Sequence, residues 1–366
     1  MSARAEIRIE RSIVPPSASP PADDKLADVL AVAEEAGLRY VNGDEPGFAR
    51  RRCGRGFVYL HPGGEPLRDR TVRTRLQALA VPPAWSGVWY CKDPRGHIQA
   101  TGRDERGRKQ YLYHPDWREV RDRSKFGQLG DFARALAALR RQVKEDLRAN
   151  APEEAAVLAA AAQLLDLTGI RVGNTSYFEQ NGTVGLTTLQ SRHTEIKGER
   201  LALRFKAKSG RQTKITVSDR RLTRILLRCE ELPGQRLFRY RSAEGVKEID
   251  STRFNDYLRA ASKADISAKA FRTWIGTVAV VEAWLASADG PLKIKDACAV
   301  AARRLANTPA ITRKSYIHPD VLAIATTRVP SDAERRVGRR DGAQLSGPER
   351  VCANLLRGPA PGDSRA

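Results

Sequence analysis

The hydrophobic positions of this chain change period several times. The opening, with Val14-Pro15-Pro16-Ser17-Ala18-Ser19-Pro20-Pro21, is too polar and proline-rich to bury a core and reads as a disordered tail over 1–25. The spacing then predicts a short amphipathic helix over 28–37, with Val29, Leu30, Val32 and Ala33 on one side and Gly37 closing it. Runs rich in β-branched and aromatic residues at 39–41, 57–60, 88–91 and 98–101 predict strands. A helix is expected over 71–79, ended by Val81-Pro82-Pro83. Past Trp117 the period becomes helical: Phe132, Leu136, Leu139, Val143 and Leu147 predict a helix over about 130–148, and Pro152-Glu153 opens another through the alanine-rich stretch to Leu167. Short β runs follow at 183–186, 202–205 and 214–217, and helices resume over 219–230, 251–261, 270–287 and 294–306. Thr308 and Pro309 fit the N-cap and first position of one more short helix, and Pro319 is expected to stop regular structure. Beyond about Pro330 the polar, charged, Gly-rich sequence reads as a flexible basic tail, 331–366. The pattern predicts an α+β protein, with a small β-rich N-terminal domain over 26–120 and a larger, mainly α-helical domain over 121–330.

At 366 residues and 41% hydrophobic content, the chain can fill two cores, and no apolar run approaches the length of a membrane span. Charge narrows the choice of partner. A formal net charge of +21, spread along the whole length, attracts nucleic acid or an anionic membrane, and nucleic acid is the favoured partner. The five cysteines are scattered with no Cys-x-x-Cys pair, and the five histidines are dispersed, so a reduced, cytoplasmic chain without a zinc site is expected.

Four segments carry candidate chemistry. Thr168-Gly169-Ile170-Arg171-Val172-Gly173-Asn174 flanks an arginine with glycines, which lets the guanidinium and backbone approach a bulky group. Lys206-Ala207-Lys208-Ser209-Gly210-Arg211 sits at the tip between two strands. Lys269-Ala270-Phe271-Arg272-Thr273-Trp274 opens an otherwise apolar helix, and Asn307 to His318 presents Tyr316 just after Arg313 and Lys314. Each segment alone also suits a solvated surface or a core. Together they offer two arginines, a lysine and a tyrosine, a set suited to metal-free phosphoryl transfer. Guanidinium forks bind non-bridging phosphate oxygens, a phenol can attack phosphorus, and an ammonium can protonate a leaving oxygen. No carboxylate cluster indicates magnesium and no phosphate-binding Gly-rich loop indicates ATP, so no cofactor and no metal are expected.

In order and character, six blocks resemble the type IB DNA topoisomerases in their compact bacterial and poxvirus form. They are Gly107-Arg108-Lys109-Gln110-Tyr111-Leu112-Tyr113, Gly169 to Gly173 with Tyr177 beyond, Val184 to Leu189, Phe205 to Lys208, Phe271 to Trp274, and Asn307 through Tyr316. The resemblance covers roughly residues 35 to 325 and implies the catalytic fold of the tyrosine recombinases and type IB topoisomerases. It implies ATP-independent relaxation of duplex DNA by a monomer, cytoplasmic and associated with the bacterial nucleoid, that closes as a clamp on its substrate. Carried over, it makes Tyr316 the nucleophile that bonds to a 3′-phosphate, Arg171 and Arg272 the contacts to the scissile phosphate, and Lys208 the acid for the departing 5′-oxygen. The fifth position, often histidine in the family, is Asn307, which can donate a hydrogen bond but cannot move a proton. Lys109, Gln110, Tyr111, Tyr113 and Tyr177 fall where the family meets DNA, although alternation on a strand points Gln110 away from the two tyrosines. His318, displaced from the motif, reads as structural. The competing readings are a tyrosine site-specific recombinase and a DNA-binding protein without catalysis. The first usually carries His-x-x-Arg where this chain has Lys269-Ala270-Phe271-Arg272.

Overall fold

A computed structural model describes residues 23–357 apart from Arg106, Asn150, Asn174, Ser176, Tyr177, Gln180, Asn181, Lys208, Ser209, Arg211 and Asp289. The chain forms two compact units, the first through Lys125 and the second from Phe126.

In the first unit, α1 (Asp23–Glu35) precedes an antiparallel sheet of β1 (Phe48–Cys53), β2 (Gly56–Leu60), β3 (Ser86–Tyr90), β4 (Ile98–Arg103) and β5 (Lys109–Tyr113), ordered β2-β1-β3-β4-β5. α2 (Arg70–Ala78) crosses between β2 and β3, and α3 (Pro115–Gly127) follows β5. Asp69 starts α2 because its carboxylate accepts the orphan N–H groups of Thr71 (2.8 Å) and Val72 (3.1 Å). One face of the sheet packs Phe48, Tyr59, Val88, Tyr90 and Ala100 against Leu76 of α2. Burying an aliphatic or phenyl side chain such as Leu76, Val88 or Phe48 contributes roughly 1.5–3 kcal/mol. The run at 39–41 is not a strand, since Arg39 makes only an isolated bridge to Gly96.

The second unit is built on α4 (Leu129–Asp146), α5 (Glu154–Thr168), α6 (Arg220–Glu230), α7 (Ser251–Ser262), α8 (Ala268–Leu285) and α9 (Ile294–Arg304). α5 is buried almost all round. Its run Ala159-Ala160-Ala161-Ala162 presents so little bulk that neighbouring helices can approach closely. α8 is likewise buried from Phe271 to Val281, as expected of a helix apolar on every side. A three-stranded sheet, β6 (Thr194–Lys197), β7 (Arg200–Lys206) and β8 (Gln212–Ser218), and a hairpin, β9 (Arg239–Ser242) and β10 (Gly245–Glu248), flank the helices. Short helices α10 (Pro309–Tyr316), α11 (Pro319–Thr327), α12 (Asp332–Gly338) and α13 (Gly347–Leu356) complete the unit.

Three expectations are corrected here. The run at 183–186 is not a strand; the backbone turns there and enters a 3-10 turn at Leu186–Thr188. Pro319 does not stop regular structure but begins α11, because proline's fixed φ and missing N–H suit the first helical position as well as they suit a stop. The stretch from 331 is no flexible tail as far as 357. Ser331 and Ser346 each form a capping box, with Glu334 and Glu349, and Val351, Cys352 and Ala353 of α13 are buried. The expected 1–25 tail lies mostly outside the described residues.

α13 docks through charge as well as apolar area. Both carboxylate oxygens of Glu349 accept from Arg140 of α4 (2.7 and 2.8 Å), Arg140 also pairs with Asp166 of α5 (2.6 Å), and Trp274 of α8 donates its indole N–H to Glu349 (3.1 Å). One guanidinium between two carboxylates ties α4, α5, α8 and α13 at a single buried point. Its other groups are satisfied too, with Gln344 supplying a carbonyl at 2.6 Å.

Candidate active site

Tyr316 is the last residue of α10. Thr308 caps that helix by accepting the Ile311 N–H (3.4 Å), and Pro309 takes the first position. Beyond Tyr316 the backbone extends and is clasped by α8 in two ways. Gly276 leaves room where any Cβ would collide with the Tyr316 carbonyl, and the Thr277 hydroxyl accepts the His318 N–H at 3.1 Å. His318 is itself structural. It is buried against Phe126, and its Nδ1 accepts the Asp320 N–H (3.2 Å) to cap α11.

Arg272, one turn before Gly276 on α8, is only 5% exposed. It donates to the carbonyls of Gly169 and Leu305 (3.1 Å for the latter), which cap the C-termini of α5 and α9. Its guanidinium carbon lies 4.8 Å from the centre of the Tyr316 ring. Helix C-termini favour a cation, yet no carboxylate among the described residues pairs with Arg272, and its buried Nε has no acceptor. A buried cation without a counter-charge is suited to receiving an anion.

The Tyr316 phenol is drawn below the ordinary tyrosine range. Burial pushes it up, but the charges of Arg272, then Arg171 and Lys269, outweigh burial. Asn307 follows a left-handed residue, Ala306 (φ 47°), and its side-chain nitrogen is buried with no acceptor. Its backbone N–H is spent on Ala302 (2.9 Å).

Arg171 lies in the segment after Gly169, whose left-handed φ of 62° ends α5. Its carbonyl accepts the Leu186 N–H (2.7 Å). The two backbones press together so closely there that a Cβ on Gly185 would meet the Gly173 nitrogen and the Arg171 carbonyl within 2.6 Å. Val184 in turn donates to the Lys206 carbonyl (2.9 Å), which brings the stem of the β7–β8 hairpin to the Arg171 segment. Lys208 at that hairpin's tip, and Tyr177, lie outside the described residues.

Of the positions expected to meet DNA in the first unit, Lys109 is exposed, with its ammonium 5.5 Å from the Tyr111 ring centre. Gln110 is turned inward at 3% exposure and donates to Asp104 (2.8 Å), because β5 alternates and its even positions face the sheet's interior. Tyr111 and Tyr113 stack at 6.1 Å on the other side and are half-buried. Tyr113 also packs on Trp117, and burial raises its phenol. Gly276 and Thr277 carry no signal in the candidate segments, and Lys269 lies in one of them without an assigned role. A glycine inside an otherwise strong helix was the available signal for the first.

The sequence model described as eukaryotic DNA topoisomerase I, catalytic core, matches residues 114–322, and the bacterial DNA topoisomerase IB N-terminal domain matches 56–104. The chain belongs to the type IB DNA topoisomerases. A relative in Acanthamoeba polyphaga mimivirus, DNA topoisomerase 1B, is 28% identical over 286 residues, covering 74% of this chain and 85% of its own. The DNA topoisomerase 1B of vaccinia virus (strain Copenhagen) is 26% identical over 155 residues, covering 40% of this chain and 46% of its own. As a topoisomerase the chain is an isomerase that acts on DNA and relaxes it. Among the described residues no helix is long and apolar enough to cross a membrane, and no group of three His, Cys, Asp or Glu is placed to hold a metal ion.

Proposed function

We propose that Tyr316 cuts one strand of duplex DNA and reseals it. The phenol gives up its proton to solvent as its oxygen attacks the scissile phosphorus, forming a Tyr316–3′-phosphate bond as the bond to the 5′-oxygen breaks. Lys208 delivers a proton to that departing oxygen, and Arg171 and Arg272 bind the non-bridging oxygens where charge builds in the transition state. Asn307 adds a neutral hydrogen bond. Because a phosphotyrosine ester retains the energy of the phosphodiester, the reverse attack by the 5′-oxygen reseals the strand without ATP or metal. Torsion is released while that end is free to swivel.

The observation that carries this reading is the buried guanidinium of Arg272, held by two backbone carbonyls but by no carboxylate among the described residues, against the Tyr316 ring. The lowered phenol and the orphaned Asn307 amide support it from the same side. We also propose that the enzyme works as a monomer on the nucleoid, that the first unit grips the duplex, and that Lys109 and Tyr111 take part in that grip. The test is relaxation of supercoiled plasmid in EDTA without ATP, comparing the wild type with Tyr316→Phe. Relaxation by the first alone, with a 3′ adduct trapped by denaturant, is expected. A wild-type chain that binds plasmid and leaves its linking number unchanged would defeat the proposal.

A further inference from the structure

The end of the first unit's sheet where β4 turns into β5 carries a second hairpin. β1 and β4 both run antiparallel to the strand between them, with Ala49 opposite Trp89, Tyr90 opposite Ala100, and Ser86 opposite Arg103. The β1–β2 turn and the β4–β5 turn therefore project from the same end of the sheet. The first of these tips reads Arg51-Arg52-Cys53-Gly54-Arg55, exposed throughout, and Gly54 supplies the left-handed φ (55°) that a two-residue turn needs.

Arg50 is used differently from its neighbours. It is half-buried and donates to the carbonyls of Val81 (2.8 Å), Pro82 and Trp85 (3.2 Å), with its guanidinium carbon 4.1 Å from the Phe57 ring centre. That fastens the hairpin to the segment leading into β3. Arg51, Arg52 and Arg55, by contrast, make no side-chain hydrogen bond or ion pair among the described residues. Arg51 and Arg52, on opposite faces of β1, and Arg55 in the turn thus place three cations on one braced arm with no counter-charge among the described residues. Cations on the facing tip are partly spent internally: Arg108 pairs with Asp104 at 2.7 Å and Arg103 donates to Gly107 at 2.9 Å.

We propose that the β1–β2 hairpin is a second DNA contact of this unit, with Arg51, Arg52 and Arg55 binding backbone phosphates across a groove from the Lys109 side. Neighbouring strands lie about 4.8 Å apart, so hairpins three spacings distant stand roughly 14 Å apart. The major groove is about 12 Å wide, so phosphates on its two borders are within reach of the two tips. β1 lies outside both segments matched by the family's sequence models, the first of which begins at residue 56. The inference rests on duplex DNA as the substrate.

Cys53 at the tip provides a native probe, since it is the exposed cysteine while Cys91, Cys229, Cys298 and Cys352 are buried. The full-length wild type is mixed with duplexes carrying a disulfide tether on one phosphate at a time. Cross-linking confined to a few adjacent phosphates, and lost in Cys53→Ser, is expected. In parallel, the salt dependence of duplex binding is compared with that of Arg51→Ala/Arg52→Ala/Arg55→Ala. The slope of log affinity against log salt is expected to flatten by about 0.9 per phosphate released, or about 2–3 in all. An unchanged slope, or Cys53 cross-links no denser at any phosphate than at the others, would overturn the proposal. A wild type that shows the localised cross-link but does not relax plasmid would instead overturn the cleavage reading and leave the hairpin contact standing.

Discussion

The Arg272 guanidinium faces the Tyr316 ring at 4.8 Å while its nitrogens hold the carbonyls that end two helices, Gly169 and Leu305. One planar fork therefore registers α5, α9 and α10 on α8. A lysine keeps the charge but is a point donor on a flexible stem and cannot meet all three.

Arg272→Lys is accordingly expected to lower single-turnover DNA cleavage by about 10²–10³-fold, the cost of one preorganised transition-state donor. Arg272→Leu should also move the Tyr316 phenol up, because the largest charge opposing burial is removed. A difference titration of phenolate absorbance, with Tyr316→Phe as the blank, reads that shift. A lysine variant that cleaves at the wild-type rate would sink the account.

Gly276→Ala adds one methyl group, yet it is aimed at the Tyr316 carbonyl in a helix that cannot retreat. A loss of about 1–3 kcal/mol of stability is expected from such overpacking. Cleavage of already bound DNA should fall out of proportion to that loss, because the displaced atom belongs to Tyr316, the proposed nucleophile. Equal activity per folded molecule in the variant would show that α8 does not set the position of Tyr316.

Glu349→Ala leaves Arg140 facing Asp166 alone and strips the Trp274 indole of its acceptor. Breaking a buried pair from one side costs about 3–5 kcal/mol. The exposed pair of Arg228 and Glu231 should cost about 0–1 kcal/mol when broken by Glu231→Ala. Thermal melting of the two variants side by side checks the contrast, and similar midpoints would refute it.

His97 is held neutral in the first unit. Burial between Tyr40 and Trp117, each with its ring 4.6 Å away, pushes its pKa down to about 4. Its Nδ1 accepts the Val41 N–H at 3.0 Å, a bond that protonation abolishes. With the folded value below the unfolded one of about 6.5, the associated stability is complete above that pH and drains away as pH falls toward 4. A fall on the order of 2–3 kcal/mol is expected across that window. His97→Asn, which keeps an acceptor but does not titrate, should flatten the dependence of melting temperature on pH. A parallel dependence in both proteins would rule His97 out.

Much of the second unit was legible because its helices bury one stripe or every side. The apolar spacing of Phe132, Leu136, Leu139 and Val143 and the Thr308-Pro309 cap needed no knowledge of tertiary structure. The candidate site was legible as residue types, but its assembly was not. Nothing local announces that Arg272 ends against the carbonyls of Gly169, 103 positions away, and Leu305, 33 away. β1 escaped notice because Arg50, Arg51 and Arg52 replace the apolar alternation by which a strand is read. The 183–186 run misled in the opposite sense. Its apolar residues are buried, but the contact of Gly185 with Gly173 bends the chain out of a ladder. The two capping boxes after Pro330 were visible in sequence, as Ser331 with Glu334 and Ser346 with Glu349, but net polarity concealed them. Gln110 shows the limit of motif transfer: its block alone made it a candidate DNA contact, whereas strand alternation, legible in the sequence, turns it to the opposite face from Tyr111 and Tyr113.

The Glu349–Arg140 pair also bears on how the protein is made. The two residues are separated by 209 positions, which at about 5–20 residues per second is roughly 10–40 s of translation. Arg140, Asp166, Arg272 and Tyr316 are all synthesised before Glu349. Nascent chains stalled short of Glu349 are therefore expected to be open to protease around α4 and α5 and slow to nick DNA. Glu349, which completes the buried charge set, is translated after Tyr316, so that set closes only once the proposed nucleophile has been made.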